Sequence, residues 1–133
     1  MKLKVKVDGS VSPGFHGFHV HTKGECVAPV TDPPTAPFLS AGGHYNPGAV
    51  THRDHAGDLP VLLIDADGEA EARFATDRFP LGDLLAGDGS AFILHANPDN
   101  YANIPIAYGT PNAGTLATGD AGGRIACGVV ESD

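Results

Sequence analysis

The chain has 133 residues and a formal net charge of −8, an acidic balance that argues against general binding to nucleic acid or anionic membranes, which need clustered Lys and Arg. Eighteen glycines and eleven prolines with only 18% charged residues exclude a helical bundle and favour short strands joined by many turns. No composition shift divides the chain, so residues 1–133 read as one domain.

Residues 2–7 alternate Lys with Leu or Val, the period of a strand with one wet face, and predict an edge strand. The break Ser12-Pro13-Gly14 precedes a second extended run over 15–21. Residues 22–51 then carry prolines and glycines without apolar periodicity and predict one long ordered loop of the functional kind. Strands are expected over 59–65, 70–75 and 90–96, the first two joined by the turn residues Asp67-Gly68, with a helical turn in the connection 80–85. Residues 97–123 form a second long loop, and 124–130 a closing strand. The sheet is expected to be antiparallel throughout. No stretch approaches the roughly 20 apolar residues of a membrane span. Residues 1–7 lack the apolar core of a signal peptide, so the chain as it stands reads as soluble and untargeted.

Two cysteines, Cys26 and Cys127, are too few for a disulfide-dense scaffold and too far apart for a thiolate zinc motif, so one disulfide is their simplest use. Such a bond points to an oxidising compartment.

The histidines carry the chemistry. His19 and His21 flank Val20 in an extended run, so both imidazoles project from one face while Phe18 and Val20 project from the other. An isolated His-x-His is more often a polar sheet face than a metal site. His44 lies in Gly42-Gly43-His44-Tyr45-Asn46-Pro47, a loop built to fold around something, and His52, His55 and Asp58 follow within seven positions, a donor set suited to tetrahedral zinc. His95 ends the apolar run 91–94, and Asp99 four residues later could accept an imidazole N–H and orient a ligand. Six of the seven histidines in three motifs make a polar-face or core reading of each one implausible. Nitrogen-rich coordination favours copper or zinc over magnesium or calcium.

The motifs Gly14-Phe15-His16-Gly17-Phe18-His19-Val20-His21, Gly43-His44-Tyr45-Asn46-Pro47, His55-Ala56-Gly57-Asp58-Leu59 and 119–129, with Arg124 and Cys127, resemble in order and spacing the copper/zinc superoxide dismutases, especially bacterial ones. The resemblance covers nearly the whole chain. It implies a Greek-key β-sandwich with two long functional loops, copper on His19, His21, His44 and His95, and zinc on His44, His52, His55 and Asp58. It further implies Arg124 and His44 as catalytic residues, the first docking superoxide and the second bridging the metals and passing a proton. Asp99 would link the histidines of the two sites, Cys26 and Cys127 would form a disulfide, and His16 would brace loops without binding metal. The implied activity is dismutation of superoxide to dioxygen and hydrogen peroxide, and the implied location is periplasmic or extracellular.

Two features depart from the family pattern. Only two residues separate His52 from His55, shorter than the usual zinc loop, which leaves a copper-only enzyme open. A single strand precedes the histidine pair, about two fewer than the family places there, so the expectation is an N-terminally shortened domain whose exposed strand edge invites a homo-oligomer. The competing reading from another class is a non-catalytic copper- or zinc-binding module on the same fold. Arg124 discriminates, because storage of a metal needs no cation beside it.

Overall fold

The computed structural model describes residues 1–28 and 36–132. Among them are seven strands: β1 (Lys2–Val7), β2 (Gly14–His16), β3 (Phe18–His21), β4 (Leu62–Ile64), β5 (Ala70–Ala75), β6 (Ala91–His95) and β7 (Arg124–Val129). Short helices α1 (Leu81–Leu85) and α2 (Thr115–Thr118) and single 3-10 turns over Leu39–Ala41 and Ile106–Tyr108 interrupt the connections. Of the loop expected over 22–51, residues 29–35 lie outside the described residues. No helix among the described residues is long and apolar enough to cross a membrane.

Every strand pairing is antiparallel, in the orders β1-β5, β2-β4 and β3-β6-β7. The alternation of β1 appears in its burial: Lys2, Lys4 and Lys6 face water while Leu3, Val5 and Val7 pack on the core, opposite Phe74, Ala72 and Ala70 of β5. On the other side Phe18 and Val20 of β3 and Leu94 of β6 meet Leu62 and Ile64 of β4, giving an all-β sandwich with one main core. Phe18 stacks on Phe92 with ring centroids 5.4 Å apart. Leu84, on the expected helical turn, is completely buried beneath this core.

Two expected elements are arranged differently from a simple hairpin reading. The run expected over 15–21 divides at Gly17 into β2, which pairs with β4, and β3, which pairs with β6. Gly17 bonds through its own amide to the Asn97 carbonyl (2.8 Å), and a Cβ there would lie 2.7 Å from that of Ala121, so only glycine lets the chain cross between sheets at this point. The Asp67-Gly68 turn forms, with Gly68 at φ 82° and the Asp65 carboxylate accepting the amides of Asp67 and Glu69 at 3.0 and 2.9 Å. The strands it joins nevertheless pair with different partners, because β5 is taken by β1 and β4 by β2.

A disulfide joins Cys26, in the connection after β3, to Cys127 on β7 across a sequence separation of 101 residues. Closing a loop of that size stabilises by about 4.7 kcal/mol in the chain-entropy model. The bond packs with Phe38 against a second small core of Ala41, Ala91 and Ile93, beneath the loop that carries His44. The strand edges of β1 and β7 that lack a partner line a groove of about 540 Å³, floored by Phe18, Phe92 and Leu94.

Candidate metal centre

Strand alternation settles the first pair of ligands. Because Phe18 and Val20 enter the core, His19 and His21 emerge on the opposite face, where both are almost completely buried. His44 is laid beside them by an isolated bridge to His21 and by bonds from the Thr22 amide to the Gly43 carbonyl (3.0 Å) and from the Tyr45 amide to the Val20 carbonyl (2.8 Å). His95 comes from the end of β6, where an irregularity in the ladder sets it opposite Arg124.

Ligand atoms of His19, His21, His44 and His95 all lie within 4.8 Å of one another. Each of three rings has one nitrogen committed outward. His21 Nδ1 donates to the Gly42 carbonyl (2.9 Å), His95 Nδ1 to the Gly122 carbonyl (3.0 Å), and His19 Nε2 to Asp99 (2.7 Å). Those bonds fix the tautomers and leave His21 Nε2 and His95 Nε2 facing each other at 3.4 Å, with His19 Nδ1 buried and without a partner. Burial, first of all, pushes His95 down to about 4 and His19 and His21 below the ordinary imidazole value, so their inner nitrogens carry lone pairs at neutral pH. A converging set of neutral imidazoles with an orphaned inner nitrogen suits a transition-metal ion such as copper or zinc.

The second set is organised around Asp58. Its Oδ1 lies 2.9 Å from His44 Nδ1 and 3.2 Å from His55 Nδ1, and its Oδ2 lies 3.2 Å from His52 Nδ1. His52 Nε2 donates to both oxygens of Asp99 (2.8 and 2.9 Å), which leaves its buried Nδ1 turned towards Asp58 without the alignment of a full hydrogen bond. Three imidazoles and one carboxylate match a closed tetrahedral zinc set. The tightest grouping capable of holding an ion on this side takes His19 with His44, His52 and Asp58, while His55 sits at its border, 3.3 Å from His44 Nδ1. His44 belongs to both groups, and so does His19. Asp99 joins the two, accepting His19 from one side and His52 from the other, with the Tyr101 amide as a third donor (2.7 Å). Gly119 is essential to this contact: at φ 60°, a Cβ would stand 1.9 Å from Asp99 Oδ1 and 2.3 Å from His52 Nε2.

The two-residue spacing between His52 and His55 is achieved by a tight reversal. Arg53 adopts φ 76°, the Asp54 amide bonds to the Thr51 carbonyl (3.1 Å), and the His52 amide is anchored on the Leu116 carbonyl (2.8 Å) of the second long loop. His16 enters neither group; its ring nitrogens lie 2.7 Å from the His95 carbonyl and 2.8 Å from the Ser12 carbonyl, so it braces strand to loop.

Arg124 donates to the carbonyls of Phe38 and Gly42, and the Gly42 carbonyl also holds His21. The guanidinium is thereby oriented on the wall of an open cleft of about 540 Å³ that it shares with His21, His44, His95, Thr118 and Asp120. Sequence reading found the cation and the histidines but assigned no role to Thr118, or to Asp120, Gly42 and Gly122, although these three lie inside the motifs it used.

The ionisation of these groups yields a prediction for the metal-free protein. Burial opposes charge on His52, but the carboxylates of Asp58 and Asp99 outweigh it and raise the group from 6.5 to about 9. Its contribution to stability is therefore complete below pH 6.5 and is lost as pH rises through 9. His95 acts in the opposite sense: between 6.5 and about 4 the unfolded chain takes up a proton that the folded site refuses, so acidification destabilises. Asp58 and Asp99, which their histidine partners hold far below 3.8 against the pull of burial, add to the loss at still lower pH. The metal-free melting temperature is expected to peak near neutral pH and decline on both sides; a steady rise to pH 9 would contradict this charge assignment.

Fold and site together define an all-β protein with two histidine-rich donor groups, either able to hold a metal ion, that meet at His19 and His44, and with an arginine-lined cleft over one of them. The family model described as copper/zinc superoxide dismutase (SODC) matches residues 1–130. A Cu-Zn superoxide dismutase of Mycobacterium tuberculosis is 47% identical over 135 residues, covering 93% of this chain and 56% of that protein. One from Photobacterium leiognathi is 34% identical over 128 residues, covering 91% and 66%. The crystal structure of a SOD-like protein from Bacillus subtilis superposes with a TM-score of 0.76 at 34% identity, covering 98% of this chain and 81% of that one. The chain belongs to the copper/zinc superoxide dismutase family. It spans 56% of the length of the mycobacterial relative.

Proposed function

We propose that this chain is the catalytic domain of a superoxide dismutase, folded as one unit, with copper on His19, His21, His44 and His95 and zinc on His44, His52, His55 and Asp58. The observation that carries the reading is the meeting of four converging imidazoles with an oriented guanidinium at one open cleft. Copper held on that set supplies one-electron chemistry by which one superoxide loses its electron and leaves as dioxygen while another gains it and, with two protons, leaves as hydrogen peroxide. The protein's part is to capture and orient a small anion and to deliver protons. Arg124 provides local attraction at the mouth against an overall charge of −8. His44, common to both sets, is the residue we expect to pass a proton between them.

A non-catalytic metal-binding module remains the rival, and kinetics decides between them. Superoxide decay should accelerate well above the spontaneous rate at catalytic amounts of copper-loaded protein, with one peroxide formed per two superoxide ions. Tightly bound copper with decay at the blank rate would establish the binding module instead. The disulfide fits an oxidising compartment, and we place the protein in the periplasm or outside the cell.

We also propose that a second copy of the chain covers the groove between β1 and β7. Among the described residues the outer edges of β1 and β7 leave backbone groups unpaired beside an apolar floor, which a second copy would pair and cover. Light scattering should give a mass above the 13.6 kDa monomer; a strictly monomeric species would contradict this.

A further inference from the structure

Arg78 stands outside every motif, in the connection between β5 and α1, yet it reaches the loop of the second donor set. Its Nη1 donates to the His55 carbonyl at 2.7 Å and to the Arg53 carbonyl at 3.1 Å, contacts 23 and 25 residues away in sequence. Its own backbone is held by a bond from its amide to Thr76 Oγ1 (3.1 Å). The two carbonyls it joins bracket Asp54, at the centre of the reversal that brings His52 and His55 to the same carboxylate.

That reversal needs support. Arg53 sits in the left-handed region at φ 76°, costly for a residue with a side chain, and the segment's own bonds are the Asp54-to-Thr51 and Asp58-to-His55 turn bonds and one from the His55 amide to Asp58 Oδ2 (3.2 Å). One guanidinium nitrogen binding both carbonyls fixes their separation, and so fixes the direction in which His55 leaves the chain. A positive charge behind a cation site gives no direct attraction to a metal. The contact therefore acts through geometry.

We propose that Arg78 is a positioning residue of the zinc set, clamping the short His52–His55 segment in the conformation that aims both imidazoles at Asp58. The proposal rests on the reading of that set as a zinc site, and the test separates the two. Zinc affinity of wild-type, Arg78→Ala and Arg78→Lys proteins would be measured by competition with a chromophoric chelator, alongside copper affinity and the visible spectrum of the cobalt(II)-substituted second site. Arg78 is exposed, so the variants should fold, and the melting temperature of each metal-free protein checks that they do.

Arg78→Ala should weaken zinc binding by roughly tenfold to a hundredfold, the usual range for loss of a group that orients ligands, with copper affinity within about twofold of wild type. Its cobalt spectrum should lose the intensity of a regular four-coordinate site, and Arg78→Lys, which keeps a donor, should recover part of both. Equal zinc affinity in wild type and Arg78→Ala would overturn the clamp alone. Equal losses for copper and zinc would also overturn it, by reducing Arg78 to a general stabiliser. A wild-type protein that binds copper but no zinc would remove the zinc reading and the clamp together.

Discussion

Replacing Arg124 by alanine is expected to lower the second-order rate constant for superoxide loss by roughly tenfold to a hundredfold, with copper content unchanged. The reason is the contrast between global and local charge. A chain of net charge −8 repels a small anion at long range, so capture would depend on the local cation Arg124 on the wall of the cleft beside His21, His44 and His95. Hydrogen bonds to the carbonyls of Phe38 and Gly42 hold that cation in a single orientation. Arg124→Lys keeps the charge but not the planar fork, and should fall between wild type and alanine. Pulse-generated superoxide followed at fixed copper loading measures all three. A rate in Arg124→Ala equal to wild type would remove the guanidinium from the reaction; a parallel loss of copper would show that the Gly42 carbonyl, shared with His21, had moved.

Asp99→Asn should disable the second donor set more than the first, weakening zinc binding by at least tenfold to a hundredfold. The carboxylate accepts His19 Nε2 through Oδ2, His52 Nε2 through both oxygens, and the Tyr101 amide through Oδ1. An asparagine presents one acceptor and turns an NH₂ donor towards imidazoles that are already donating. One ring must then change tautomer, and the nitrogen gaining the proton is Nδ1, the inner atom that is orphaned in both His19 and His52. His52 gives its outer nitrogen wholly to Asp99, and His19, which also borders the second grouping, does the same, whereas the first set retains His21 and His95 on the independent acceptors Gly42 and Gly122. Chelator competition for each metal checks the asymmetry; unchanged zinc affinity would mean that Asp99 does not set the His52 tautomer.

Much of this site could be read from local spacing, because strand alternation and short loops place nearby residues without help from the rest of the chain. His19 and His21 share a face because they are two apart in a strand, and Lys2–Val7 shows its buried side by the same period. Turn residues around Asp67-Gly68 announced a reversal that the structure contains. What spacing could not supply were partners distant in sequence. Nothing near Asp67 says that β4 pairs with β2 and β5 with β1, since pairing is settled by which apolar faces meet across the core. The doubt raised by the two-residue step from His52 to His55 has the same origin. A left-handed Arg53, an anchor on Leu116 and the reach of Arg78 let a short segment place two imidazoles on one carboxylate, and all three depend on tertiary contacts. The carbonyls of Gly42 and Gly122 that fix His21 and His95 are backbone atoms, silent in any motif.

The most direct measurement is the rate of superoxide decay as copper is added in steps to the copper-free, zinc-loaded protein. Dismutation on the set of His19, His21, His44 and His95 requires the rate to rise in proportion to bound copper and level off at one equivalent. A protein that binds its equivalent of copper and leaves superoxide decaying at the spontaneous rate would show that these four histidines hold a metal without turning over this substrate.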